Sequence, residues 1–119
     1  VEGIKARYNR YPEYAMHRTY QALAGLRAAY EKAIDQGGGK WPNTEAVIKA
    51  FEGLTWQTPY GPITMRADHN AVHGGLVGLT KFNPKYGFAT IDRVMTFKAE
   101  EITPPVGVKS PDWIGTLKK

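Results

Sequence analysis

The chain has 119 residues, 42% of them apolar and 12% aromatic, a make-up that fits a globular protein and not a disordered one. It contains no cysteine, which excludes disulfides, thiolate metal sites and a cysteine nucleophile. No apolar run is long enough to span a membrane as a helix. The formal charge of +5 is scattered, with Lys5 to Arg10 and Lys118-Lys119 the nearest things to clusters.

Residues 1–12 read as a short strand or extended lead-in, with Tyr8 and Tyr11 as apolar anchors. Pro12 sits where a helix can begin, and Glu13 in the first turn suits the positive end of the helix dipole. Met16, Tyr20, Leu23, Leu26, Tyr30, Ala33 and Ile34 then recur at helical spacing. That spacing predicts one amphipathic helix over 13–36, stopped by Gly37-Gly38-Gly39. Asn43 is a suitable N-cap for a second helix over 43–52, with Glu45 in its first turn and Gly53 at its C-terminal end. The two helices are expected to pack through Leu23, Tyr30, Ile34, Val47 and Phe51.

Leu54–Thr58 and Ile63–Arg66 read as strands on either side of the Pro59-Tyr60-Gly61-Pro62 turn, so 54–66 is expected to be an antiparallel hairpin. Asp68-His69-Asn70 reads as a loop. Val72–Phe82 reads as a strand with a bulge or a close backbone approach at Gly74-Gly75. A turn at 83–87 leads to a further strand, Phe88–Phe97. After Thr103 the chain opens on Pro104-Pro105 and reads as an irregular arm. Two helices followed by strands lack the alternation of a complete doubly wound domain. The order fits an α+β domain or a piece of a larger α/β protein.

No catalytic triad, phosphate loop or zinc signature is present. Gly37-Gly38-Gly39-Lys40 lacks the preceding strand and the Lys-Ser/Thr helix start that a phosphate loop needs. His69 and His73 are four apart, with Asp68 as a possible third ligand. Ordinary loop and strand polar residues are the competing reading, and neither a metal nor a cofactor is expected. His17 falls in the first turns of the long helix, beside Tyr14 and Tyr20. Free backbone amides at a helix start, a titratable ring and flat aromatic walls are the ingredients of a small-molecule contact. A partly exposed helix histidine with no role is the alternative.

The stretch from Tyr14-Ala15-Met16-His17-Arg18-Thr19-Tyr20 through Gly53-Leu54-Thr55-Trp56-Gln57-Thr58-Pro59-Tyr60-Gly61-Pro62-Ile63-Thr64-Met65 resembles the C-terminal part of the solute-binding proteins of ATP-binding-cassette transporters, in the branched-chain amino-acid receptor family. Residues 15–26 are similar to that family's helix near the ligand cleft, and His17 stands three before the Tyr20 that leads into the helix body. Residues 55–65 are similar to its hairpin, in which a Gly-Pro pair precedes a strand, and Asp68-His69-Asn70 to the polar loop that follows. The resemblance covers roughly residues 12–82.

The resemblance implies an α/β fold, the C-terminal fragment of a two-lobed type I periplasmic binding protein. Residues 1–70 would belong to one lobe, and 71–119 would supply hinge-proximal strands and a C-terminal arm. It implies that His17, Ala15 and Tyr14 contact the ligand, and that the groups gripping the ligand's carboxylate and amino group lie outside this chain. The implied function is non-catalytic capture of a small organic solute, an amino acid or an aromatic or carboxylated compound, outside the cytoplasm or in the periplasm. Delivery would be to a membrane permease, with no nucleic-acid partner, and the isolated chain is expected to self-associate. Two alternatives stand beside it: a small enzyme using His17 or His69 as a base, and a basic nucleic-acid-binding module hinted at by Tyr8-Asn9-Arg10-Tyr11.

Overall fold

The computed structural model describes residues 2–117, so the Lys118-Lys119 cluster lies outside the described residues. These divide into two compact units, with the division between Met65 and Arg66.

The first unit opens on a helix, α1 (Glu2–Tyr8), which corrects the expected extended lead-in. Glu2 in its first turn and Lys5 and Arg7 in its last complement the helix dipole. Tyr8, read from sequence as an anchor, is exposed. The helix ends where Asn9 takes a positive φ of 51° and donates its amide to the Lys5 carbonyl at 2.9 Å. The long helix α2 runs Tyr14–Gln36, with Glu13 as its N-cap. At its end the Gly37 amide bonds to the Ala33 carbonyl at 3.0 Å and the Gly39 amide to the Ile34 carbonyl at 2.9 Å. Gly38 and Gly39 take φ of 66° and 83°, a conformation that costs a glycine little. The amides of Gly37 and Gly39 are thus consumed by the last turn of α2, which makes the run a helix stop. Helix α3 (Thr44–Phe51) is capped by Asn43, whose Oδ1 accepts from the Ala46 amide at 2.9 Å.

The packing between α2 and α3 differs from expectation. Ala29, Ala33, Val47 and Ala50 form the buried cluster, with Tyr30, Phe51 and Leu54 against it. Leu23 is 60% exposed and takes no part. The buried side of α2 is its small-residue side, Gln21, Gly25, Ala29 and Ala33, one residue per turn. Small side chains let α3 and the hairpin approach the helix axis closely, and that contact fixes which side is covered.

Strands β1 (Thr55–Thr58) and β2 (Gly61–Met65) form the expected antiparallel hairpin, with Trp56 opposite Ile63 and Thr58 opposite Gly61. Trp56 and Ile63 face inward and are both buried. The Trp56 indole covers Gly25 and donates Nε1–H to the Gln21 carbonyl at 3.0 Å. The Phe51 ring meets it edge-on, with centroids 6.1 Å apart. One tryptophan therefore joins α2, α3 and the hairpin.

The second unit begins with a tight loop. The Arg66 guanidinium pairs with both Asp68 carboxylate oxygens and donates to the Pro104 carbonyl. The Asn70 amide donates to Asp68 Oδ1 at 3.2 Å, and His69 sits at φ 61°. The expected strand 72–82 is divided into β3 (Ala71–Val72) and β4 (Gly75–Asn83). Strand β5 (Phe88–Phe97) pairs antiparallel with β4 over its expected span. The irregularity lies between Val77 and Leu79, not at Gly74-Gly75. The close backbone approach is present at Gly74 as expected, where a Cβ would lie 2.6 Å from the Phe97 carbonyl oxygen. It recurs at Gly78, where a Cβ would collide with the Ile91 side chain and come within 2.8 Å of the Asp92 carbonyl oxygen. A short helix, α4 (Ala99–Ile102), follows β5, and the arm after Thr103 is not wholly irregular, since α5 (Ser110–Thr116) falls within it. The Glu101 carboxylate accepts from the Lys98 amide at 2.6 Å, and Ser110-Pro111-Asp112 places proline and an acid in a first turn, both helix-start signals.

Candidate ligand-contacting site

Helix α2 begins beside the tip of the β1–β2 hairpin, and Trp56 sets that register. Its indole is bonded at Gln21, and His17 lies one helical turn nearer the N-terminus on the same side of α2. Four residues on from Trp56, the chain reaches Tyr60 in the turn. That turn is pinned by Thr58, whose hydroxyl donates to the Gly61 carbonyl at 2.8 Å and accepts from the Tyr60 amide at 3.1 Å. Gly61 takes a φ of 103°, which a side chain would resist. Tyr60 is thereby aimed back at the helix start. Its ring meets the His17 imidazole edge-on, with centroids 4.8 Å apart and planes at 79°. Its hydroxyl is in hydrogen-bond contact with His17 Nδ1 and lies 3.1 Å from Nε2.

The three residues singled out from sequence take different positions. His17 is half-buried and joined to Tyr60. Tyr14 is 71% exposed, with the Arg18 guanidinium 5.0 Å from its ring centroid. Arg18 also donates to the side-chain oxygen of the buried Gln21 at 3.2 Å. Ala15 is exposed, and two residues of helix turn it about 200° from His17, so those two do not share a face. Tyr60 is the partner the sequence reading did not name as a site residue. It appeared only within the turn motif, and nothing in residue spacing predicts that Trp56 will dock the hairpin on Gly25.

The arrangement is a wall with polar atoms at its surface: imidazole, phenol and guanidinium over an aromatic ring. It supplies hydrogen bonds and apolar contact, the means of orienting a small organic molecule. Two open depressions lie elsewhere. One, of about 390 Å³, is lined by Ala33, Gln36, Gly37, Ala46 and Lys49. The other, of about 350 Å³, runs along β4 and β5 beside Lys81, Phe82 and Asp92. Among the described residues, no group of three His, Cys, Asp or Glu side chains is gathered to hold a metal. Asp68 is held by Arg66, which with the Asn70 bonds keeps its carboxyl well below the usual carboxylate range. His73 Nδ1 lies 2.6 Å from the Gly74 carbonyl oxygen. No described helix is long and apolar enough to cross a membrane.

The fold is a mixed α/β arrangement that corresponds to part of a larger chain. It is similar to the crystal structure of an ABC-type branched-chain amino acid transporter from Rhodopseudomonas palustris, with a TM-score of 0.74 and 27% identity. The match covers 92% of this chain and 28% of that one, so the present chain spans little more than a quarter of its structural neighbour. No protein-family model matches the sequence, and no curated protein matches it.

Proposed function

We propose that this chain is a segment of the solute-binding component of an ABC transporter, in the branched-chain amino-acid receptor family. The observation that carries the reading is the structural likeness to an ABC-type branched-chain amino acid transporter over 92% of the chain. The resemblance of residues 12–82 to the C-terminal part of such receptors points the same way. On this reading the protein is not an enzyme. It captures a small organic solute outside the cytoplasm, in the periplasm of a two-membrane cell, and delivers it to a membrane permease. His17, with Tyr14 on the same turn of α2, contributes one wall of the cleft, and Ala15, which faces away from His17, would reach a ligand only from the other side of the helix. Tyr60 holds the His17 ring in place and offers its own hydroxyl. The ring N–H of His17, the Arg18 guanidinium and the Tyr60 phenol together favour a solute that carries a carboxylate.

The test is ligand-induced stabilisation of the longer polypeptide carrying this segment. A panel of aliphatic amino acids, aromatic amino acids and aromatic carboxylates is added in turn, and the melting temperature recorded. A binder present at about 100 times its Kd should stabilise by about 2.7 kcal/mol, several degrees of melting temperature. A flat response across the panel would count against solute capture.

A further inference from the structure

Which nitrogen of His17 carries the ring proton decides what this wall offers a solute. A neutral imidazole has one N–H donor and one bare acceptor nitrogen, and the bond made by one nitrogen fixes the state of the other. The Tyr60 hydroxyl is in hydrogen-bond contact with Nδ1, and Nε2 lies farther from it, at 3.1 Å. The proton in that contact has two possible owners. If the phenol donates, Nδ1 is bare and Nε2 carries the ring proton. If Nδ1–H donates to the phenol oxygen, Nε2 is the bare one. The first arrangement presents a donor, which suits a carboxylate. The second presents an acceptor, which suits an ammonium or a hydroxyl group.

The chemistry of the pair selects the first. A phenol titrates at about 10 and is a far stronger acid than a neutral imidazole, while an imidazole nitrogen is a far stronger base than a phenol oxygen. The phenol therefore donates and the ring accepts. The helix offers Nδ1–H little in exchange, because the Glu13 carbonyl one turn back already accepts the Met16 and His17 amides at 3.1 and 3.4 Å. The aim of the phenol depends in turn on a residue that does not touch the imidazole. The Thr58 hydroxyl donates to the Gly61 carbonyl at 2.8 Å and accepts from the Tyr60 amide at 3.1 Å, which folds the turn over the Thr58 side chain. Tyr60 is 56% exposed, so burial does not hold its ring. The bonded turn and the edge-on contact with His17 place it.

We infer that Tyr60, held by Thr58, sets the tautomer of His17, so that Nδ1 accepts from the phenol and Nε2–H is presented as a donor. Thr58 is thus a positioning residue of this wall. What Nε2–H meets rests on the solute-binding reading, on which it is the carboxylate of the solute. The tautomer itself is measured without any solute, so either can fail alone. The test is nitrogen-15 NMR of the imidazole rings in the 119-residue chain at about pH 8.5, where an ordinary imidazole is neutral. The His17 signals are the ones that vanish in His17→Gln. In the unmodified chain Nε2 should resonate as a protonated nitrogen and Nδ1 as a bare, hydrogen-bonded one. Tyr60→Phe keeps the ring and removes the hydroxyl, and the two signals should move toward each other as the tautomers mix. Thr58→Val keeps the branched shape and removes both turn bonds, and it should move them in the same direction although Tyr60 is intact. Thr58→Ser keeps the hydroxyl and should leave them in place. Far-UV circular dichroism should be alike in all of these chains. A protonated Nδ1 in the unmodified chain, or signals unmoved by Tyr60→Phe, would overturn the tautomer assignment. Signals unmoved by Thr58→Val, with only the melting temperature changed, would show Thr58 to be structural and overturn its positioning role.

Discussion

Replacing Gly25 with alanine should loosen the hairpin from α2 even though it makes a better helix. An added Cβ would lie 2.7 Å from Trp56 Cε2 and 2.8 Å from Cζ2. The ring has little freedom to yield, because Nε1 is bonded to the Gln21 carbonyl and Phe51 lies against it. Overpacking of this kind costs about 1–3 kcal/mol. Shifting the indole also weakens its buried hydrogen bond, for about another 1 kcal/mol. Against this stands the helix-propensity gain of alanine over glycine, about 1 kcal/mol. The net expectation is a loss of about 1–3 kcal/mol. The assay is urea unfolding of a chain in which Trp41 and Trp113 are phenylalanine, so that fluorescence reports Trp56 alone. Gly25→Ala should lower the midpoint, and Gly25→Val should lower it further. A midpoint raised by alanine would mean that propensity wins and that Trp56 is not seated on a bare helix backbone.

Asn43→Ala removes the side-chain acceptor for the Ala46 amide and should cost about 1 kcal/mol by the same unfolding assay. Asp68 gives a pH prediction. Its carboxyl is lowered first by the Arg66 hydrogen bonds and then by Asn70, so the folded chain holds it ionised below the ordinary aspartate value of about 3.9. What the Arg66–Asp68 pair contributes is therefore present above that ordinary value and is lost as pH falls through the depressed one. In a carboxyl-carbon NMR titration Asp68 should still be ionised at about pH 3, and Arg66→Ala should return it to the ordinary range. An ordinary titration in the unmodified chain would show that the loop clip does not form in solution.

Much of the fold could be read from local pattern, because local rules decided it. The spacing from Met16 to Ile34 fixed α2 to within a residue of its observed start, Asn43 marked α3, and the alternation of 88–97 gave β5. The departures share a different cause. Near the N-terminus, helix formers and a favourable charge order in residues 2–8 outweighed the anchoring role assigned to Tyr8. Leu23 was assigned to the core because it is large, yet Gly25 and Ala29 are covered because they are small. Patterning shows that a helix has an apolar side. It does not show which of two such sides a given neighbour will use. The candidate site divides in the same way. His17 carried visible cues, a titratable ring at a helix start between tyrosines. Tyr60 gained its place through a tertiary contact more than thirty residues distant in sequence, Trp56 with Gln21 and Gly25, which no periodicity encodes.

The central claim is that this segment forms part of a solute cleft with His17 in its wall. It is tested most directly by isothermal titration of the longer polypeptide and its His17→Ala variant with the best binder from the carboxylate and amino-acid panel. The account predicts saturable binding of one solute per polypeptide. His17→Ala should weaken it by about 1–3 kcal/mol through a lost hydrogen bond, with Tyr60→Phe weakening it less. An unchanged dissociation constant in His17→Ala would remove that residue from the site. No measurable heat with any solute, for a folded polypeptide, would contradict the solute-binding reading itself.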